Sequence, residues 1–134
     1  MKRLLFLLVL VNFILVVGCS GEKEVSKAPD SKDSMVSPSE GPLALPAESN
    51  PEANKHNEEG IDHWNQGHHD VALKHFNMAS KIDGSSGEVH FNEAIAYDKV
   101  NQHGEATKHF KVAQQNANGN TLILESKILL AHVQ

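Results

Sequence analysis

The sequence predicts an all-α body of antiparallel helix pairs, preceded by an N-terminal part of different character. Three observations predict it. All five Pro of the 134-residue chain lie between residues 29 and 51, so residues 52–134 contain no proline to interrupt a helix. Apolar residues there recur at helical spacing, as Ala72, Phe76 and Ala79 do at i, i+4 and i+7. Finally, His69-Asp70-Val71-Ala72-Leu73-Lys74-His75-Phe76-Asn77-Met78-Ala79 matches His103-Gly104-Glu105-Ala106-Thr107-Lys108-His109-Phe110-Lys111-Val112-Ala113 at six of eleven positions, 34 residues on.

The chain opens with Lys2 and Arg3 ahead of an apolar run, residues 4–17, broken only by Asn12. The run is short for a membrane span, which needs about 20 residues. It has the length and flanks of a secretory signal core. It ends Val16-Val17-Gly18-Cys19, followed by Ser20, and Cys19 is the only Cys. These residues resemble a bacterial lipoprotein signal, although Val17 stands where a small residue is commoner. The resemblance implies cleavage after residue 18, diacylglycerol on the Cys19 thiol and a further acyl chain, such as palmitate, on the new amine. Because Ser20 is not Asp, it also implies sorting to the outer membrane, facing the periplasm. Two or more acyl chains anchor a protein stably, whereas one does so marginally.

Removal of residues 1–18 leaves ten Lys against seventeen acidic side chains, a net charge of −7. An acidic body with one Arg, Arg3, in the whole precursor does not recruit nucleic acid by bulk electrostatics. Nor does it adhere to anionic lipid through a basic face, so the expected contact with the membrane is the lipid on Cys19. Residues 19–52 are rich in Ser, Pro, Glu and Lys and lack apolar periodicity, which predicts a disordered linker. Its one apolar cluster, Leu43-Ala44-Leu45 between Pro42 and Pro46, is read as part of that linker. As a coil the linker spans roughly 30 Å, and about 110 Å when stretched.

The body is expected over residues 53–134. Turn signals at Asn65-Gln66-Gly67, Gly84-Ser85-Ser86-Gly87, Asn101-Gln102-His103-Gly104 and Asn116-Ala117-Asn118-Gly119-Asn120 divide it into five helices. These run over about 53–65, 69–82, 87–100, 103–116 and 121–133. Ser86 and Asn120 are placed to cap the helices that follow them.

The 34-residue period and the Ala…Phe…Ala core resemble the tetratricopeptide repeat. The resemblance covers about 80 residues: one repeat over about 53–86, a second over about 87–120, and a cap helix over 121–134, an α-solenoid arrangement. Gly60 and Ala94 take the small site where the two helices of a repeat cross, and Tyr97 the aromatic site one turn later. Ala72 and Ala106, Phe76 and Phe110, and Ala79 and Ala113 take the small, large and small sites of the second helix. Small residues let helices approach closely, and the large ring fills the space between successive pairs. The sequence departs from the family at the usual closing Pro, here Gly84 and Asn118, and at the usual early Trp, here His56 and His90.

The family binds its partners on a groove lined by the first helix of each pair. Carried over by position, that groove comprises Asn57, Ile61, Trp64 and Asn65, then Phe91, Ile95, Asp98 and Lys99, then Leu122, Glu125 and Leu129 of the cap. The Lys and Asn that clamp a terminal carboxylate in chaperone-binding relatives are absent, since Asn57, Ile61, Phe91 and Ile95 stand there. The groove is therefore expected to be apolar, with Trp64 either at its edge or covering the first repeat. The cap is apolar over much of its circumference, which predicts a contact with a second chain.

Catalytic motifs are missing: there is no Gly-x-Ser-x-Gly elbow, no phosphate-cradling Gly loop and no free Cys nucleophile. An enzyme and a cofactor are therefore not expected. Of the nine His, His69, His75, His103 and His109 occupy sites often aromatic in the family and are read as half-buried rings. His56 and His63 flank Glu59 on one helix, but no His-Glu-x-x-His pattern exists and no metal site is expected. The expectation is a lipid-anchored module that docks a partner's helix or peptide in an envelope complex. The alternatives are a self-associating structural lipoprotein, hence a homo-oligomer, and a His-rich metal-binding protein.

Overall fold

The computed structural model describes residues 41–134; the expected signal sequence, Cys19 and the expected linker up to residue 40 lie outside the described part. Among the described residues all regular structure is helical. The order is α1 (Pro51–Asn65), α2 (His69–Ile82), α3 (Gly87–Lys99), α4 (His103–Gln115), α5 (Thr121–Leu124) and α6 (Lys127–Val133). No helix there is long and apolar enough to cross a membrane.

Local chemistry fixes the boundaries. Asn50 caps α1 by accepting from the amides of Glu52 and Ala53 at 2.9 and 3.3 Å, with Pro51 in the first turn, where its missing N–H is harmless. The α1–α2 and α3–α4 turns are built alike. Gly67 and Asn101, 34 residues apart, both have positive φ, and the next residue donates back to His63 O or Tyr97 O, at 2.9 and 2.8 Å. Ser86 caps α3 through the Val89 amide.

Packing follows the small and large sites. α1 packs on α2, α2 on α3, α3 on α4, and α4 on α6. Phe76 and Phe110 are fully buried. A Cβ on Gly60 would stand 2.6 Å from Phe76 Cδ1, so the glycine is what admits the ring. Phe91 meets Phe110 edge-on, with centroids 5.8 Å apart. α3 is the central element, with an unbroken buried run from Phe91 to Ala96.

Two expectations are corrected here. The linker does not extend to residue 52, because Leu43 and Leu45 are buried while Ala44 between them is exposed. This period-two alternation is that of an extended segment. Pro42 and Pro46 favour it, since the residue before a proline is pushed out of the helical region. The segment passes Trp64 at Gly41, turns at Pro46–Ser49 and enters α1, so it runs antiparallel to that helix.

The cap is also not one helix. It breaks at Glu125, and Ser126 starts α6 by accepting from the Leu129 amide at 3.3 Å. Ile123 and Leu129, both fully buried, would stand about 120° apart around a continuous helix at 3.6 residues per turn. The break lets both reach the core.

The buried segment makes a stability test. Leu43→Ala is expected to lose about 2–5 kcal/mol, the usual range for truncating a buried leucine, whereas Ala44→Ser stays within about 0.5 kcal/mol. Urea melts of both variants check this; equal midpoints would return residues 41–46 to the linker.

Candidate functional site

The face shared by α1 and α3 is built around two fully buried amides, Asn57 and Asn92. Asn57 comes from α1 and Asn92 from α3. Asn92 Oδ1 accepts from Leu43 N at 2.6 Å, and Asn92 Nδ2 donates to Leu43 O at 2.7 Å. Asn57 Nδ2 donates to the same carbonyl at 3.0 Å, and Asn57 Oδ1 accepts from Asn92 Nδ2 at 2.7 Å. Both backbone groups of Leu43 are therefore satisfied by side chains. Its own side chain joins the core of Phe91, Ile95, Phe110, Ile123 and Leu129. Leu45 packs with Ala53, Ala79 and Val89. The arrangement holds an extended backbone by its polar groups and reads alternate side chains by pockets, as a strand partner would.

The expected groove residues divide by this segment. Asn57, Phe91, Ile95 and Leu129 are buried, as the face already carries residues 41–46 and the cap. Ile61, Trp64 and Asp98 are half-buried, and Asn65, Lys99, Leu122 and Glu125 are exposed. Trp64 and Lys99 come together at the edge, with Lys99 Nζ 6.0 Å from the ring centroid. Asn92 was not among the expected residues. A sequence signal for it existed in the two polar side chains, Asn92 and Glu93, set between Phe91 and the apolar run Ala94-Ile95-Ala96.

The cap leaves less surface than expected. Leu122 and Leu124 are 48% and 37% exposed, while Ile123 and Leu129 are covered.

Of the histidines read as half-buried rings, His69, His75 and His109 are half-buried. His103 has a side chain 63% exposed rather than half-buried. His75, not His63, shares Glu59 with His56: the two Nδ1 atoms stand 3.1 and 3.3 Å from Glu59 Oε2. Equivalent positions of the second pair bring His90, Glu93 and His109 together. Burial holds the His109 imidazole below its usual pKa, against the pull of Glu93. Tyr97, stacked on His109 at 5.3 Å, is raised by burial and then by Glu93 and Glu105.

The divided cap yields a paired test. Leu129→Glu puts a carboxylate into the core and should remove most of the helical signal at 25 °C, since such burial costs several kcal/mol out of about 5–15. Leu122→Glu should leave the circular dichroism spectrum and melting temperature close to wild type. Equal tolerance of both would refute the packing of α6.

No family model, no curated protein and no solved structure matches this chain.

Proposed function

We propose that the chain is a lipid-anchored protein-interaction module of the tetratricopeptide type, whose α1/α3 face takes an extended apolar peptide from a partner. In this reading it is a binder and not an enzyme. Cys19 carries the anchor, residues 20–40 the tether, and the body works at the outer membrane on the periplasmic side. The paired helices and the 34-residue period support the repeat assignment.

One observation carries the binding assignment: the face already holds a peptide, residues 41–46 of the chain itself, by backbone hydrogen bonds and two leucine pockets. A partner segment of the form Leu-x-Leu, flanked by prolines, meets the same recognition and competes with it. The chain's own segment is tethered, so its effective concentration is high and it sets the threshold a partner must exceed. The self-associating alternative takes a concrete form here, because the segment of one copy fits the face of another.

A labelled peptide Gly-Pro-Leu-Ala-Leu-Pro tests this against wild type and the Leu43→Asp, Leu45→Asp double variant, each shown by circular dichroism to be helical. The variant should bind at about 10–100 µM, that is about −7 to −5.5 kcal/mol, and wild type at least tenfold more weakly. Absence of binding to a helical variant would refute the peptide site. A concentration-dependent dimer of wild type in sizing would favour segment exchange between copies.

The anchor has its own test. Cys19→Ala should abolish incorporation of labelled palmitate and release the chain from membranes. Unchanged incorporation would overturn the lipoprotein assignment.

A further inference from the structure

Each helix pair carries the same three side chains at the same spacing. His56, Glu59 and His75 become His90, Glu93 and His109 on adding 34. In each, a His and a Glu one turn apart on the first helix meet a His from the second. We propose that these triads are two sites for a divalent transition ion of the Zn2+ type, the His90–Glu93–His109 site the tighter.

The shape of the second triad carries the inference. Its three donor atoms are His90 Nδ1, His109 Nδ1 and Glu93 Oε2, with separations of 3.3, 3.1 and 3.8 Å. Ligands about 2.1 Å from a tetrahedral ion stand about 3.4 Å apart, which is the mean size of this triangle. The face of a tetrahedron is thus already formed, and its fourth corner is left to water or to a donor from a partner.

The polar accounting favours positive charge there. Glu93 is 1% exposed, and the basic side chains within 4 Å of its carboxylate are the two imidazoles. Asn77 Nδ2 donates to Oε1 at 2.6 Å, but Oε2 accepts no hydrogen bond of good geometry, although His109 Nδ1 is close. His90 Nε2 stands 3.0 Å from Gly84 O. A carbonyl only accepts, so Nε2 carries the proton and a neutral His90 turns a lone pair toward Glu93. A single N–H on His109 serves one of those two acceptors and leaves the other unmatched. One divalent ion satisfies all three. The backbone carbonyl on the far nitrogen of His90 and the amide on the far oxygen of Glu93 are outer contacts of the kind that orient metal ligands.

The first triad has the same donors with less cover. His56 Nδ1 and His75 Nδ1 are buried without hydrogen-bond partners, and both face Glu59 Oε2. Glu59 is 40% exposed, so water competes for it and the site is weaker. Two imidazoles and one carboxylate suit Zn2+ and its neighbours, not Ca2+ or Mg2+, which take oxygen ligands. The Asp98, His103 and His132 cluster is of another kind. Both His nitrogens hydrogen-bond with Asp98 Oδ1, at 2.7 and 3.0 Å, and the set does not recur, since Trp64, His69 and Asp98 stand 34 residues earlier.

The experiment uses the full-length chain in detergent, stripped with a chelator and titrated with Zn2+ alone by calorimetry. Wild type should take up two equivalents of unequal affinity. Glu93→Gln, which keeps the shape and the Asn77 contact, should lose the tighter one. His75→Gln should lose the weaker one, and His103→Gln should change neither. Asn77→Ala, which touches no ion, should weaken the tighter site about 10–100-fold without changing the stoichiometry. Less than one equivalent bound by wild type at about 100 µM Zn2+, or full stoichiometry in Glu93→Gln and His75→Gln, would overturn the proposal. If a variant loses its helical signal, chemical labelling of the wild-type imidazoles decides instead. Zn2+ should protect His90 and His109, and unprotected rings would refute the site.

Discussion

The hydrogen-bonded ring of Asn57, Asn92 and Leu43 is the constraint on which the rest of the molecule depends. Two primary amides sit fully buried where the first helices of the two pairs approach. An unsatisfied buried amide costs about 1–3 kcal/mol, so the pair is tolerable only with partners in place. Each amide satisfies part of the other, and the backbone of Leu43 completes the ring. Helix backbone cannot supply those partners, because its own N–H and C=O groups are already paired. An extended segment can, since it has free groups on both sides. The two asparagines therefore make the α1/α3 face a place for an extended chain, and the leucines at alternate positions set its register.

The helices were legible because their signals are local. Periodicity and Gly or Asn punctuation placed α2 at 69–82 and α4 from 103 with the observed starts, and Ser86 and Asn120 cap as expected. The missed features depend on contacts far along the chain. Nothing near Leu43 says that Asn92, 49 residues on, will hold it. A proline on either side of Leu-Ala-Leu looks the same in a free linker and in a bound extended strand. The break at Glu125 was hidden for a similar reason. Ser126 is unremarkable in a helix until Ile123 and Leu129 must face the same core. With the histidines, attention to one helix paired His56 with His63, whereas the closer imidazole comes from α2. The 34-residue offset already contained the correct triad, because it repeats Glu59 and His75 as Glu93 and His109.

The two helix pairs share residues but not surroundings, and the difference follows from their order. α3 has neighbours on both sides, α2 and α4, while α1 has α2 and the segment 41–46. Eight residues of α3 are buried, three of α1, although the two helices are of similar length. Ala94 therefore sits in a closed interior at the site where Gly60 meets a single ring. Trp64 at the end of α1 covers part of that flank by packing against the cluster of Ala72, Phe76 and Ala96 and against the larger core.

That asymmetry gives the same three side chains two different chemistries. Around Glu59, water remains in contact with the carboxylate, so its charge is solvated and its imidazole neighbours are optional partners. Around Glu93, water is excluded, and a bare carboxylate would carry a desolvation cost of several kcal/mol. The Asn77 amide offsets a fraction of it at one oxygen. The other oxygen faces two imidazole nitrogens that cannot both donate while His90 is neutral and keeps its bond to Gly84. The same three side chains, open to water in the first helix pair, thus stand in the second around a carboxylate from which water is excluded. Position in the stack, and not any change of residue, makes the inner triad the stronger ligand set.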